Sequence, residues 1–202
     1  LTIQAGRSVL VNANITTDNG NLTLKANETN ANGAVNQRDS GAAAITLASG
    51  TTINVGTGVF TASMDTGAGK TNTNSGDITL SNVTAGSLVV NNGGNTSGSD
   101  ILDNGVLTIA GTSSFTTSVS NAVITLDSAN AFTGAVTINT TGSSGNATID
   151  NGTTAFNVAA SSVGGNLTLT SGNSITDSGT LTVGGNLAAI TDANSGLINL
   201  GT

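Results

Sequence analysis

The side chains of this chain that could do chemistry are mainly carboxylates, and most of them lie in its later part. Residues 71–202 contain seven Asp and no Lys or Arg. A glycoside hydrolase needs two carboxyl groups about 5–9.5 Å apart on one face. Asp100 with Asp103 could supply such a pair, and so could Asp150 with Asp177 if their segments stack. Asp beside Gly or Asn is also typical of turns, and we favour that interpretation.

Calcium binding is a second chemistry that these carboxylates could support. Asp100, Asp103 and Asp177 fall in related sequence contexts, and Ca²⁺ takes hard oxygen ligands. The Gly-Gly-x-Gly-x-Asp repeat of calcium-binding β-rolls is absent, and residues 93–100 (GGNTSGSD) match it only loosely. We therefore interpret these positions as structural turns. The sequence predicts no catalytic, cofactor-binding or metal-binding residue, and Ca²⁺ is the one cofactor left open.

Several classes of function are excluded by what the chain lacks. It has no His and no Cys, which excludes Ser–His and Cys–His nucleophiles and His or Cys metal sites. Its four basic residues all precede position 71, so a lyase that uses Lys or Arg beside the later carboxylates has no base. The net charge of −7 disfavours nucleic acid and anionic membranes, and no apolar run is long enough for membrane insertion. We predict that the protein is not an enzyme.

Threonine arrays indicate a further alternative, the binding of ice or glycan by a flat face. Thr168 with Thr170 and Thr180 with Thr182 are the best Thr-x-Thr pairs, but elsewhere the second Thr is lost, as at Lys25. An array that breaks so often argues against ice binding. The four Phe residues are expected to fill a core rather than to stack on sugars.

The elements that must position these residues are short β-strands. A phrase with Gly first and then alternating apolar and Thr residues recurs at 20–24, 76–80, 134–138, 165–169 and 179–183. Alternation with period 2 is the pattern of a half-buried strand, and many similar strands indicate stacked repeats. Residues 163–167 return 20 positions later as 183–187, and residues 100–109 resemble 174–183 at an offset of 74. The first offset predicts one coil of a β-solenoid, and the second predicts a superunit of about four coils.

The predicted fold is therefore an all-β parallel β-helix of about ten coils of roughly 20 residues, a rod about 50 Å long at about 4.8 Å per coil. Residues 1–202 form a single solenoid segment, with longer loops near 26–44, 65–75 and 91–99, and Asn–Gly pairs at 19, 32, 92, 104 and 151 supply corners. Thr residues between the apolar ones are expected to face outwards. The predicted interior consists of Leu22, Leu24, Ile45, Leu47, Ile78, Leu80, Leu88, Val90, Leu107, Ile109, Ile124, Leu126, Val136, Ile138, Leu167, Leu169, Leu181, Val183, Ile198 and Leu200.

Residues 1–15 (LTIQAGRSVLVNANI) resemble the coil sequence of filamentous-haemagglutinin-type adhesins, which are giant repetitive bacterial surface proteins. Residues 41–47, 76–80 and 129–136 fit the same pattern, so the resemblance covers essentially the whole chain. It implies a right-handed parallel β-helix and a role in surface display, attachment or biofilm. The family's amino-terminal secretion domain is not in this sequence.

From these observations we expect an extracellular structural or adhesive fibre segment at a bacterial cell surface, acting as a rigid shaft. The expected partners are neighbouring coils or further copies, end to end or laterally, and host or matrix glycans. The chain begins without Met and neither Leu1 nor Thr202 resembles a polar cap, so we expect a fragment of a longer repetitive protein or a stacking filament unit. The alternatives are a carbohydrate-active β-helix enzyme and an ice-binding or glycan-binding solenoid.

Overall fold

The computed structural model describes residues 1–31, 36–192 and 196–201, and over these residues the chain is built only from β-strands and connections. The expected corner at Asn32–Gly33 and the terminal Thr202 lie outside the described residues. The described segments contain no helix that could cross a membrane. The strands are β1 Thr2–Gln4, β2 Val9–Val11, β3 Ile15–Thr16, β4 Leu22–Ala26, β5 Ala43–Leu47, β6 Thr52–Asn54, β7 Val59–Met64, β8 Ser75–Leu80, β9 Asn82–Ala85, β10 Ser87–Asn92, β11 Ile101–Asp103, β12 Leu107–Ile109, β13 Ser113–Ser120, β14 Ile124–Leu126, β15 Ala131–Phe132, β16 Val136–Thr141, β17 Ala147–Asp150, β18 Phe156–Val158, β19 Ser161–Val163, β20 Leu167–Ser171, β21 Ile175–Asp177, β22 Leu181–Val183, β23 Leu187–Thr191 and β24 Ile198–Asn199.

The strands of the described residues pair in parallel, each with strands of the coils before and after it. The second strand of each coil belongs to an 8-stranded sheet that runs β2-β5-β8-β11-β14-β17-β20-β23. The first strands belong to an 11-stranded sheet, and the third strands of the first five coils form a 5-stranded sheet. From β18 onwards the third strands join the 11-stranded sheet, because β16 pairs with both β18 and β19. The predicted parallel β-helix is confirmed.

The number and length of the coils differ from the prediction of about ten coils of roughly 20 residues. Each three-strand coil gives one strand to the 8-stranded sheet, so the described residues make eight coils. Ser161 pairs with Leu181, which lies 20 residues later, whereas Leu22 pairs with Phe60, which lies 38 residues later. The coil that begins near Leu22 is therefore almost twice as long as the coil that begins near Ser161. The difference arises because loops lengthen several coils. At about 4.8 Å per coil, eight coils make a rod of roughly 38 Å rather than about 50 Å.

The two sequence offsets have different structural meanings. The offset of 20 is one coil, because Val163 pairs directly with Val183. The offset of 74 was expected to be about four coils, and this is wrong: Ile101 begins β11 and Ile175 begins β21, ten strands later. With three strands per coil, ten strands are three coils and one strand. Residues that match at this offset therefore lie on different sheets.

The interior is a continuous column of apolar side chains. All four Phe residues are buried, and the rings of Phe115 and Phe132 meet edge to face, with centroids 5.6 Å apart. Of the predicted interior residues, all are buried except those of the last coil. Leu181, Val183 and Leu200 are partly buried, and Ile198 is 43% exposed. They are less covered because no described coil lies beyond them.

Candidate functional site

The three predicted loops stack on one another at one corner of the rod. They connect the first and second strands of three successive coils, as segments 27–42, 65–74 and 93–100, and the first includes the undescribed residues 32–35. Thr71 N donates to Asn36 O at 2.8 Å, and Asn95 Nδ2 donates to Thr66 O at 3.0 Å. We call the described parts of these segments the loop stack. It is the largest departure of the surface from regular coils.

A cleft of about 260 Å³ lies where the loop stack meets the outer face of the 11-stranded sheet. It brings Lys25 together with Glu28 and Asp65, a combination that sequence analysis did not single out. The Glu28 carboxylate is buried, and its Oε2 accepts hydrogen bonds from Asn30 N at 2.7 Å and Ala31 N at 2.8 Å. Asp65 Oδ1 accepts from Thr66 N at 2.7 Å. Asp65 Oδ2 also accepts from Thr29 Oγ1 at 3.3 Å, so the Glu28 carboxylate holds its own loop and that of Asp65 joins two neighbouring loops.

Arg38 is a structural side chain of the loop stack. Only 8% of it is exposed. Its Nη1 donates to Asn27 Oδ1, and its Nη2 donates to Glu28 O at 2.8 Å. Its Nε is buried and has no hydrogen-bond partner among the described residues. The guanidinium thus ties two oxygen atoms of the first loop together, and nothing in the sequence pattern distinguished it from a surface arginine.

Asp100 and Asp103 flank the same strand, β11, but their carboxylates serve different contacts in the next coil. Asp100 Oδ1 accepts a hydrogen bond from Val123 N at 2.8 Å, and Asp77 Oδ1 in turn accepts one from Asp100 N at 3.0 Å. Burial raises the pKa of Asp77, and the nearby charge of Asp100 raises it further, against the lowering effect of the Asp100 N–H. These carboxylates link the backbones of successive coils.

Asp103 lies at the opposite end of β11. Its Oδ1 accepts from Asp127 N at 3.1 Å and its Oδ2 from Asn130 Nδ2 at 2.8 Å. Burial raises the pKa of Asp103, the bonds from Asn130 and Ser128 oppose that effect, and the charge of Asp127 adds to it. These contacts of the carboxylate hold the next corner. Asp100 thus immediately precedes β11, Asp103 is its last residue, and both carboxylates make structural contacts with the next coil.

The other proposed groupings of carboxylates do not form. Asp150 ends β17 in the 8-stranded sheet, where it pairs with Thr170, whereas Asp177 ends β21 in the 11-stranded sheet, where it pairs with Val158. The condition that their segments stack is therefore not met, and β21 also lies three coils beyond the strand that Asp100 and Asp103 flank. Among the described residues, no three acidic side chains gather in a way that could hold a metal ion.

A threonine column runs along the outer face of the 8-stranded sheet. The register places Thr46, Thr79, Thr125, Thr148 and Thr168 in one line, which Leu102 interrupts, with Leu10 and Ala188 at its ends. The line beside it contains Asp150, Thr170 and Ile190 at successive positions. The face thus carries one threonine line rather than two. Thr168 and Thr170 lie side by side, but the neighbouring strands do not repeat their pairing.

Four asparagines at the corners of the rod are buried and stabilise these corners, which the sequence analysis did not predict. Asn27, Asn92, Asn130 and Asn151 are at most 1% exposed. Asn151 Nδ2 donates to Phe132 O, Thr154 O and Ala155 O at 3.0–3.2 Å, and its Oδ1 accepts from Phe132 N at 2.7 Å. These side chains satisfy backbone groups that the corners leave unpaired inside the rod. A recurrent Asn just after an apolar alternation is the signal that could have found them.

Half-buried and exposed Asn residues make a second, outer set of hydrogen bonds between successive coils. Asn146 Oδ1 accepts from Asn166 N at 2.7 Å, and Asn166 Oδ1 accepts from Asn186 N at 2.8 Å. Asn139 Oδ1 accepts from Ser162 N at 3.1 Å in the same way. In each case the acceptor lies one coil before the donor. The polar surface therefore contributes to coil stacking.

Comparison with known families agrees with this repeated architecture. Residues 66–139 and 144–202 both match a family described as repeats of unknown function, DUF5649. The chain belongs to the DUF5649 repeat family. The first DUF5649 match ends within β16 and the second includes β17 to β24, so each spans several strands of the rod. No curated protein and no solved structure gave a match to this DUF5649 chain.

Proposed function

We propose that the chain is a stiff shaft segment of an extracellular structural or adhesive fibre at a bacterial cell surface. The observation that supports this proposal best is the unbroken parallel ladder of the 8-stranded sheet, which joins every described coil to the next. A rod of this kind projects whatever lies at its end away from the surface. The proposed role follows the resemblance of residues 1–15 to filamentous-haemagglutinin-type adhesins.

The chemistry of the surface also supports a shaft. Only 7% of residues are charged, and the outward columns are mainly Thr, Ser and Asn. Such a surface binds lateral neighbours through hydrogen bonds rather than through strong charge. The proposed partners are adjoining coils, further copies of the chain, and host or matrix glycans.

The alternatives have weaker support. A carbohydrate-active enzyme needs carboxylates that are available to substrate, but those of Asp100 and Asp103 accept backbone hydrogen bonds from the next coil. A face that binds ice by regular threonine arrays has only the single interrupted line that contains Thr148. The cleft of Lys25, Glu28 and Asp65 is the place to test glycan binding.

The shaft proposal can be tested by placing the chain between an outer-membrane anchor and a tagged tip on a bacterial surface. The height of the tip is measured against the anchor alone, with a flexible linker of about 11 residues, whose fully extended length is also about 38 Å, as a control. A shaft raises the tip by about 38 Å, with a narrow distribution of heights. A height no greater than that of the linker would contradict the proposal. Turnover of a polysaccharide would also contradict it, if the substitutions Asp100→Asn and Asp103→Asn abolished that turnover.

A further inference from the structure

Asn–Gly pairs are chemically labile, and this chain has five of them. The backbone nitrogen of the glycine can attack the side-chain amide carbon of the asparagine, releasing ammonia and closing a succinimide. Water then opens the ring at either carbonyl, leaving aspartate or isoaspartate. The reaction needs a mobile asparagine amide and an unengaged glycine N–H, so the hydrogen bonds of each pair decide its reactivity. Asn32–Gly33 lies outside the described residues, and the other four pairs can be compared.

Two of the pairs are locked against this reaction. Asn92 is fully buried; its Nδ2 donates to Gly76 O and Asp100 O, and Gly93 N donates to Met64 O at 3.0 Å. Asn151 is equally buried, and its amide makes the four hydrogen bonds described above. Gly152 N donates to Asp150 Oδ1 at 2.8 Å. In both pairs the electrophile and the nucleophile are already engaged.

The pair Asn19–Gly20 is partly restrained. Asn19 Oδ1 accepts hydrogen bonds from Thr57 N at 3.0 Å and from Thr57 Oγ1 at 3.2 Å. Its backbone adopts a φ of 59°, which a local turn holds. The exposed amide must leave its contacts with the next coil before the attack can occur.

The pair Asn104–Gly105 has none of these restraints. Asn104 is exposed at the corner between β11 and β12, and its side-chain amide makes no hydrogen bond within the described part of the chain. The Gly105 N–H likewise has no hydrogen-bond acceptor among the described residues. The backbone beside it is held, since Asn104 N donates to Leu80 O at 2.9 Å. Both reacting groups are therefore available, at a fixed corner in the middle of the rod.

We propose that Asn104 is the preferred site of spontaneous deamidation and isoaspartate formation among the described Asn–Gly pairs. The Gly105 nitrogen forms a bond to the Asn104 side-chain carbon and loses its proton, and the amide nitrogen leaves as ammonia. Water adds across the imide in the second step. The reaction needs no enzyme, oxidant or cofactor, and it adds one negative charge to the net charge of −7.

The lability persists because the fold requires glycine at position 105. A Cβ there would lie 2.8 Å from Asn82 N and 2.9 Å from Asn82 Oδ1 in the preceding coil. A larger residue that would slow the reaction therefore does not fit. The isoaspartate product lengthens the backbone by one methylene group at the same crowded corner. It disturbs the hydrogen bond from Val106 N to Asn82 Oδ1, which is 3.1 Å long.

The test is to age the purified full chain at mildly alkaline pH and to quantify deamidation at each pair by peptide mass spectrometry. Electron-transfer fragmentation separates isoaspartate from aspartate, and a synthetic peptide of residues 100–110 gives the unrestrained rate. We expect Asn104 to react at least about tenfold faster than Asn92 and Asn151, a barrier difference of about 1.4 kcal/mol. The product should be mainly isoaspartate, because isoaspartate forms when the succinimide ring opens. Its presence therefore identifies the succinimide route.

Matched variants separate this chemistry from general unfolding. Asn104→Gln removes the favourable five-membered ring and should abolish the isoaspartate at this corner while leaving the melting midpoint unchanged. Asn19→Gln should leave the reaction at Asn104 unchanged. Deamidation of Asn92 or Asn151 at the rate of Asn104 or faster would overturn the proposal, as would a failure of Asn104 to react while the free peptide is consumed. Neither result would bear on the proposed role as a shaft.

Discussion

A Cβ atom on Gly134 would lie 2.3 Å from the carbonyl oxygen of Gly111 in the preceding coil. Gly111 stands in the same relation to Gly86, whose carbonyl oxygen would be 2.5 Å from its Cβ. Gly86, Gly111 and Gly134 form a column at the corner that precedes the first strands β10, β13 and β16 of three successive coils. Gly134 of the recurrent phrase is thus required by the close approach of successive backbones rather than by an unusual φ, whereas Gly20 of the same phrase has no such close neighbour.

The first prediction concerns this column. Gly134→Ala should lower the stability by about 1–3 kcal/mol, because a methyl group forced into a packed backbone contact displaces one coil from the next. Gly20→Ala is the matched control, since the nearest atom to its Cβ would be 3.9 Å away. The urea midpoints of the two variants and the parent provide the measurement. Equal midpoints for both variants would show that the column does not fix the coil spacing.

The second prediction concerns the buried amide of Asn151. Asn151→Ala should cost about 3 kcal/mol, because each buried backbone group left without a partner costs about 1–3 kcal/mol. Asn91→Ala is the control, as Asn91 is exposed on the outer face of β10 and should change stability by at most about 0.5 kcal/mol. Thermal melting followed by circular dichroism measures both. A neutral Asn151→Ala would mean that water replaces the amide.

The third prediction concerns pH. The pKa values of Asp77 and Asp103 are raised in the folded chain, so the folded state binds protons more readily than the unfolded state. Their contribution to stability is therefore fully present below the unfolded value, near 3.8, and is lost as the pH rises through the folded values. We expect the melting temperature to decrease as the pH is raised from 4 to 7.

The control for the pH effect is the double variant Asp77→Asn, Asp103→Asn. An amide oxygen can still accept the hydrogen bonds from Asp100 N and Asp127 N, but the side chain no longer titrates. The difference between the melting temperatures at pH 4 and pH 7 should be smaller in this variant. An unchanged difference would assign the pH dependence to other carboxylates.

The fourth prediction concerns the interior column. Phe115→Ala should cost about 3–5 kcal/mol, since it removes a fully buried ring that packs edge to face on Phe132. Leu181→Ala in the last coil should cost less, because Leu181 is only partly buried. Hydrogen exchange read along the chain should place the new opening around β13 in the first variant and around β22 in the second. Uniform loss of protection in both would indicate that the eight coils unfold as one unit.

The alternation of Leu22, Thr23 and Leu24 was enough to predict strands, their inner and outer faces, and the stacking of coils. This pattern is local, and the burial of every other residue expresses it directly. The long loops were also visible, because residues 26–44 depart from the strand rhythm. Their stacking at one corner could not be predicted, since it depends on which strand of the coil each loop follows.

The number of coils was misjudged for a related reason. The short, regular spacing of Val163 and Val183 belongs to the last part of the rod and was extended to the whole chain. Asn151 was interpreted as a corner residue, but composition does not reveal that its polar side chain faces inwards to satisfy carbonyl groups. Asp100 and Asp103 were interpreted as turn residues, whereas Asp103 is the last residue of β11 and both carboxylates accept hydrogen bonds from the next coil, which are tertiary contacts.

The step of ten strands from β11 to β21 has a consequence for any partner that recognises the surface of this chain. The longer sequence repeat, from Ile101 to Ile175, advances by three coils and one strand, so the same motif moves from the 8-stranded to the 11-stranded sheet. The two copies of the motif thus present their outer side chains on different faces, and a ligand that spans one face would contact only one of them.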